Sequence, residues 1–115
     1  MRKKVAALGV LGFSLSVALC ATCSTMTLYP GDSFCVQTTA ESAVSATGTS
    51  DKNVHFTVSD CSVTTLFDEA GSTSFGGDWT SETNPGLFPG CFCACADRNP
   101  NKPTPAVVSL CIAGN

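Results

Sequence analysis

The sequence predicts a small, mostly β, antiparallel domain stapled by disulfides, with one short helix near residues 39–47. Three observations carry this. Cysteine is dense, eight in 115 residues, at a level that marks disulfide scaffolds once a leader is removed. The clearest periodicity is two: Val54, Phe56 and Val58 alternate with His55 and Thr57, the pattern of a half-buried strand. Proline and glycine cut the remainder into short segments, as in compact all-β chains.

The chain opens MRKKVAALGVLGFSLSVA. Arg2, Lys3 and Lys4 form a basic start, and an uncharged apolar run follows that is shorter than the roughly 20 residues of a membrane span. This is the layout of a secretory signal peptide over 1–18. Ser16-Val17-Ala18 sets cleavage after Ala18, although Ala18 at the minus-three position also permits a cut after Cys20. The first cut leaves residues 19–115 as one domain with all eight cysteines. The second leaves seven and hence an odd thiol.

Without the leader, Lys52, Arg98 and Lys102 stand against nine acids, a formal charge of −6. No basic stripe exists to neutralise phosphates, which speaks against nucleic acid as a partner, and against an anionic membrane surface for the same reason. Ser and Thr are abundant and large apolar residues few, so the core is thin. Disulfides are therefore the expected source of stability, each typically worth about 2–4 kcal/mol.

Taken in order, Pro30-Gly31-Asp32-Ser33 marks a turn between MTLY and FCVQ, the sign of a hairpin. In TTAESAVSATG, Thr38 and Glu41 have the spacing of a capping box, which is the source of the predicted helix. NVHFTVSD is a strand, and Cys61 to Phe67, rich in Thr and Val, predicts another. Residues 68–90 hold many glycines and prolines and are expected to form a long surface excursion. GCFCACAD is a strand, DRNPNKPTP a loop, and AVVSLCI the last strand, expected to pair with the cysteine triplet across that loop.

On a strand, Cys91, Cys93 and Cys95 face one side, with adjacent α-carbons about 6.6 Å apart. That is near the upper limit for a bridge, so each should bond to a cysteine elsewhere. The expectation is that Cys20, Cys23, Cys35, Cys61, Cys91, Cys93, Cys95 and Cys111 all form disulfides. A zinc site commonly uses two Cys-x-x-Cys pairs, and only Cys20–Cys23 has that spacing, so no metal and no cofactor is expected. A redox role for Cys20 and Cys23 lacks the strand-to-helix setting that lowers a thiol pKa.

Few residues suggest chemistry. His55 is the one histidine and reads as an exposed strand residue. A secreted ribonuclease would need an acid, a base and a cation, for which His55, Glu69 and Arg98 are the available set. Asp68, Glu69 and Asp78 offer carboxylates of the kind Ca²⁺ takes, but read first as exposed loop acids. Trp79, the one tryptophan, sits in the glycine-rich stretch, and tryptophan is enriched at binding hot spots. Leu87 and Phe88 join it as candidate contacts.

The resulting expectation is a secreted, extracellular, non-catalytic binding protein of effector, toxin or inhibitor type. Its partner would be a protein or a glycan outside the cell. The alternatives are the small hydrolase just described and a cysteine-cross-linked envelope or coat component.

Overall fold

A computed structural model describes residues 8–10, 13–14, 21–61, 64–80 and 90–115. Two short strands, β1 (Leu8–Val10) and β2 (Phe13–Ser14), form an antiparallel sheet of their own. The leader expectation otherwise falls outside the described residues, as do the calls on Cys20, Leu87 and Phe88. The other six strands are β3 (Thr22–Leu28), β4 (Ser33–Ala40), β5 (Ala43–Asp60), β6 (Thr65–Thr80), β7 (Gly90–Asp97) and β8 (Ala106–Gly114). They form one antiparallel sheet in the order β3-β8-β5-β7-β4, with β6 also paired to β5. The predicted mostly β, antiparallel, disulfide-stapled class is what the chain adopts.

The organising element is β5, whose 18 residues serve two neighbours on one side. Its first half, Val44 to Ser50, pairs with β8, and its second half, His55 to Asp60, pairs with β7. Pairing with β6 runs along both halves but shifts register between Thr49 and Val54. Extra residues on one strand bend it and increase its twist, so the β8–β3 wing and the β7–β4 wing curl towards each other. At their far ends, the Glu41 N–H donates to the Asn115 carbonyl at 3.0 Å, which ties the end of β4 to the end of β8.

Alternate residues of these strands point into the space between the wings. Val44, Ala46, Val54, Phe56 and Val58 of β5 meet Phe92, Ala94 and Ala96 of β7 and Ala106, Val108, Leu110 and Ile112 of β8, all buried. The period-two reading of Val54, Phe56 and Val58 is therefore correct. Many of these residues are small, and Phe56 and Phe92 are the largest fully buried side chains.

Three local expectations are corrected. No helix forms at 39–47: Ala40, Val44 and Ala46 are buried on alternate positions of two strands joined at Glu41-Ser42. The Glu41 N–H that a Thr38 cap would accept donates instead to the Asn115 carbonyl at 3.0 Å, and the next two N–H groups, of Ser42 and Ala43, both donate to Asn115 Oδ1 at 3.0 Å. β-branched Thr38, Thr39, Val44 and Thr47 suit the pleat better than a helix. Residues 68–80, expected as a loop, are most of β6, because they pair with β5 on both sides of the register shift, with Gly76 and Gly77 opposite Thr47 and Ala46 and Gly71 at the irregularity with φ +66°. Finally, β7 and β8 are not partners: the 98–105 connection crosses between wings, and β7 pairs with β4 and β5.

The Pro-Gly turn is present without its hairpin. Asp32 N–H donates to the Tyr29 carbonyl at 2.8 Å, and Gly31 takes φ +91°, as the third position of a type II turn requires. The flanking strands then part, β3 joining β8 and β4 joining β7.

Candidate functional site

Strand β6 pairs only with β5 among the described residues, so it borders the sheet. Its inward face carries Phe67, Phe75 and Trp79, each half-buried and packed against the rim of the core. The rings form a chain. Buried Phe56 lies 4.8 Å from Phe75, Phe75 is stacked on Phe67 at 5.2 Å, and Phe67 is 5.9 Å from Trp79. These separations fall in the favourable range for aromatic pairs, worth about 0.5–1.5 kcal/mol each beyond area burial.

Two glycines make the row possible. Gly48 faces Phe75 across the strands, and a β-carbon there would meet Phe75 at 2.6 Å and Leu110 and Phe56 at 2.9 Å. Gly77, two residues before Trp79 on the same face, lies under the indole: a β-carbon would meet its ring at 3.0 Å. Trp79 is half-buried, packed against the edge of the core. Sequence reading singled out Trp79 but missed Phe67 and Phe75, which join it only when residues 65–80 are recognised as a strand.

The outward face of the same region is polar. His55 of β5 sits between two carboxylates, with Nε2 2.6 Å from Asp68 Oδ1 on β6 and Nδ1 3.4 Å from Asp97 Oδ2 on β7. His55 lies on the strand face opposite the apolar positions, as expected, and is half-buried there, with its side chain 37% exposed. The ribonuclease set does not assemble as a phosphate site. Arg98 is 4% exposed, and its guanidinium is turned inward, Nη1 donating to the Asn53 carbonyl at 2.7 Å and Nε to the Thr104 carbonyl at 2.9 Å. Asp68 is engaged by His55, and Asp78 stands opposite Ser45 on the other half of β6, so the three acids considered for calcium do not converge. Among the described residues, no group of three or more His, Cys, Asp or Glu side chains is arranged to hold a metal ion.

Among the described residues three disulfides close the fold: Cys23–Cys111, Cys35–Cys95 and Cys61–Cys91. The first two join directly opposed residues of neighbouring strands, with α-carbons 4.1 Å apart. Two members of the cysteine triplet thus pair with different parts of the chain, Cys95 with Cys35 of β4 and Cys91 with Cys61 just after β5. Cys93 departs from the expectation: it is buried and, among the described residues, in no bridge. Burial, followed by the nearby Asp60 carboxylate, pushes its thiol pKa up.

No family model matches the chain, and no curated protein sequence matches it. Its fold is similar to that of a solved structure, PliG of Aeromonas hydrophila, a periplasmic inhibitor of g-type lysozyme. The likeness covers 82% of this chain and 85% of that one, with a TM-score of 0.57 and 10% sequence identity. At that identity the likeness is one of fold.

Proposed function

We propose that this chain is a secreted, disulfide-stapled protein that binds another protein outside the cell in the manner of an inhibitor, using the aromatic row of β6. The observation that carries the reading is the Phe67–Phe75–Trp79 row, half-exposed on a bordering strand and anchored to the core through Phe56. Aromatic side chains on a rigid support lose little entropy on association and dominate binding energetics. Three disulfides among the described residues suit an oxidising, extracellular or envelope compartment. PliG, which has a similar fold, is itself an inhibitor of a protein, and a g-type lysozyme is therefore the first partner to test.

Trp79 is the sole tryptophan, so its fluorescence reports directly on the row. Titrating g-type lysozyme and a panel of secreted hydrolases should shift its emission, and Trp79→Ala should weaken binding at least tenfold while secretion and fold persist. Full affinity in the Trp79→Ala variant would remove the row as the site. A spectral response to soluble glycans and to no protein would reassign the partner class.

A further inference from the structure

The unbridged thiol of Cys93 does not stand alone. Cys61 follows the last residue of β5 and faces Cys91 of β7, its N–H donating to the Cys91 carbonyl at 3.1 Å, and the two are bridged. Cys93 lies two residues along β7, on the same side as Cys91, opposite Ser59 of β5. Its Sγ is 3.4 Å from Cys61 Sγ. A disulfide bond is about 2.05 Å long, so the sulfurs need to close by only about 1.3 Å to bond.

We propose that Cys61, Cys91 and Cys93 form a thiol–disulfide exchange site in which the buried Cys93 displaces Cys91 from Cys61. Cys91 thereby becomes the thiol that accepts a small external disulfide. In the first step the Cys93 thiolate attacks Cys61 Sγ. The Cys61–Cys93 bond forms, the Cys61–Cys91 bond breaks, and its electron pair leaves on Cys91 Sγ, which takes up the proton lost by Cys93. One disulfide and one thiol are present before and after, so no oxidant or reductant is consumed. In the second step the Cys91 thiolate attacks an external disulfide, forms a mixed disulfide and releases one thiol. Exchange moves the thiol from a buried position to a half-buried one, where a small reagent reaches it more readily than a protein does. The raised pKa of Cys93 keeps the attacking thiolate scarce, which makes the site slow at rest.

The test uses the secreted, non-reduced protein with oxidised glutathione as the probe. After incubation, remaining thiols are alkylated and the protein is digested. Chymotryptic cleavage after Phe92 separates Cys91 from Cys93, so mass spectrometry assigns the adduct. The expected result is glutathione on Cys91 together with a Cys61–Cys93 bridge, and loss of the Cys91 adduct to background in Cys93→Ser. Glutathione on Cys93 with the Cys61–Cys91 bridge intact, or no adduct on either residue, overturns the proposal. A second variant guards against misfolding of the first. Cys91→Ala should carry a Cys61–Cys93 bridge, whereas alkylation of both Cys61 and Cys93 in that variant would show that the two sulfurs do not bond.

Discussion

Individual residues whose chemistry is unusual for their surroundings give the sharpest tests. Gly48 is one, because Phe56, Phe75 and Leu110 occupy the space a β-carbon would take. Gly48→Ala should destabilise the fold by about 1–3 kcal/mol, the usual cost of overpacking, seen as a lower urea midpoint. Arg98 is another: it is buried and satisfies the Asn53 and Thr104 carbonyls together. Arg98→Met leaves both acceptors without that donor and should cost about 1–3 kcal/mol. Arg98→Lys should recover only part of this, since one ammonium does not reproduce the guanidinium fork. Cys93 supplies the pH test. Its folded pKa is raised, by burial first and by Asp60 second, while an unfolded thiol ionises near about 8.5. The unfolded chain therefore loses that proton more readily. The contribution is fully present below the unfolded pKa and is lost as pH rises through the folded one. Urea midpoints should fall more steeply above about pH 8.5 in the wild type than in Cys93→Ala.

Among the elements, the bridges differ by the length of chain they close. Cys23–Cys111 spans 88 residues and Cys61–Cys91 spans 30. The chain-entropy relation makes the former worth about 1 kcal/mol more. Paired alanine variants should show that ordering in denaturant midpoints; a larger loss from Cys61/Cys91 would mean that native contacts outweigh loop entropy. β3 depends on its bridge in a further way. Its residues Thr22 to Thr27 are exposed and only Leu28 is buried, so hydrogen bonds to β8 and the Cys23–Cys111 link are its main attachments. Amide exchange in β3 should consequently accelerate more than in β5 when that bridge is removed. His55 joins β5 to both β6 and β7 through Asp68 and Asp97. With these groups substantially exposed, a His55–Asp68 double-mutant cycle should give a coupling no greater than about 1 kcal/mol.

For the whole molecule, the relevant quantity is charge. Three bases against nine acids in the chain after residue 18 favour approach of a basic partner and slow that of an acidic one. If the aromatic row binds such a partner, salt should lower the association rate and affect dissociation much less, because screening acts over a Debye length of roughly 8 Å at physiological ionic strength.

Composition and period-two alternation were sufficient for the fold class, for the buried face of Val54, Phe56 and Val58, and for the need of the triplet's members to seek separate partners. These are local properties: adjacent side chains on a strand point apart whatever the strand pairs with. Pairing itself was not legible. The capping-box spacing at Thr38 and Glu41 suggested a helix because the competing acceptor, Asn115, lies at the far end of the chain. Glycine at 76 and 77 suggested a loop because the residues that pair with them, Thr47 and Ala46 of β5, are distant in the sequence. The aromatic row, the His55 carboxylates and the Cys61–Cys91–Cys93 cluster likewise depend on register between strands. Only the tertiary structure decided them, since cross-strand neighbours are chosen by the bend in β5 and by the packing of the core rather than by any local run of residues.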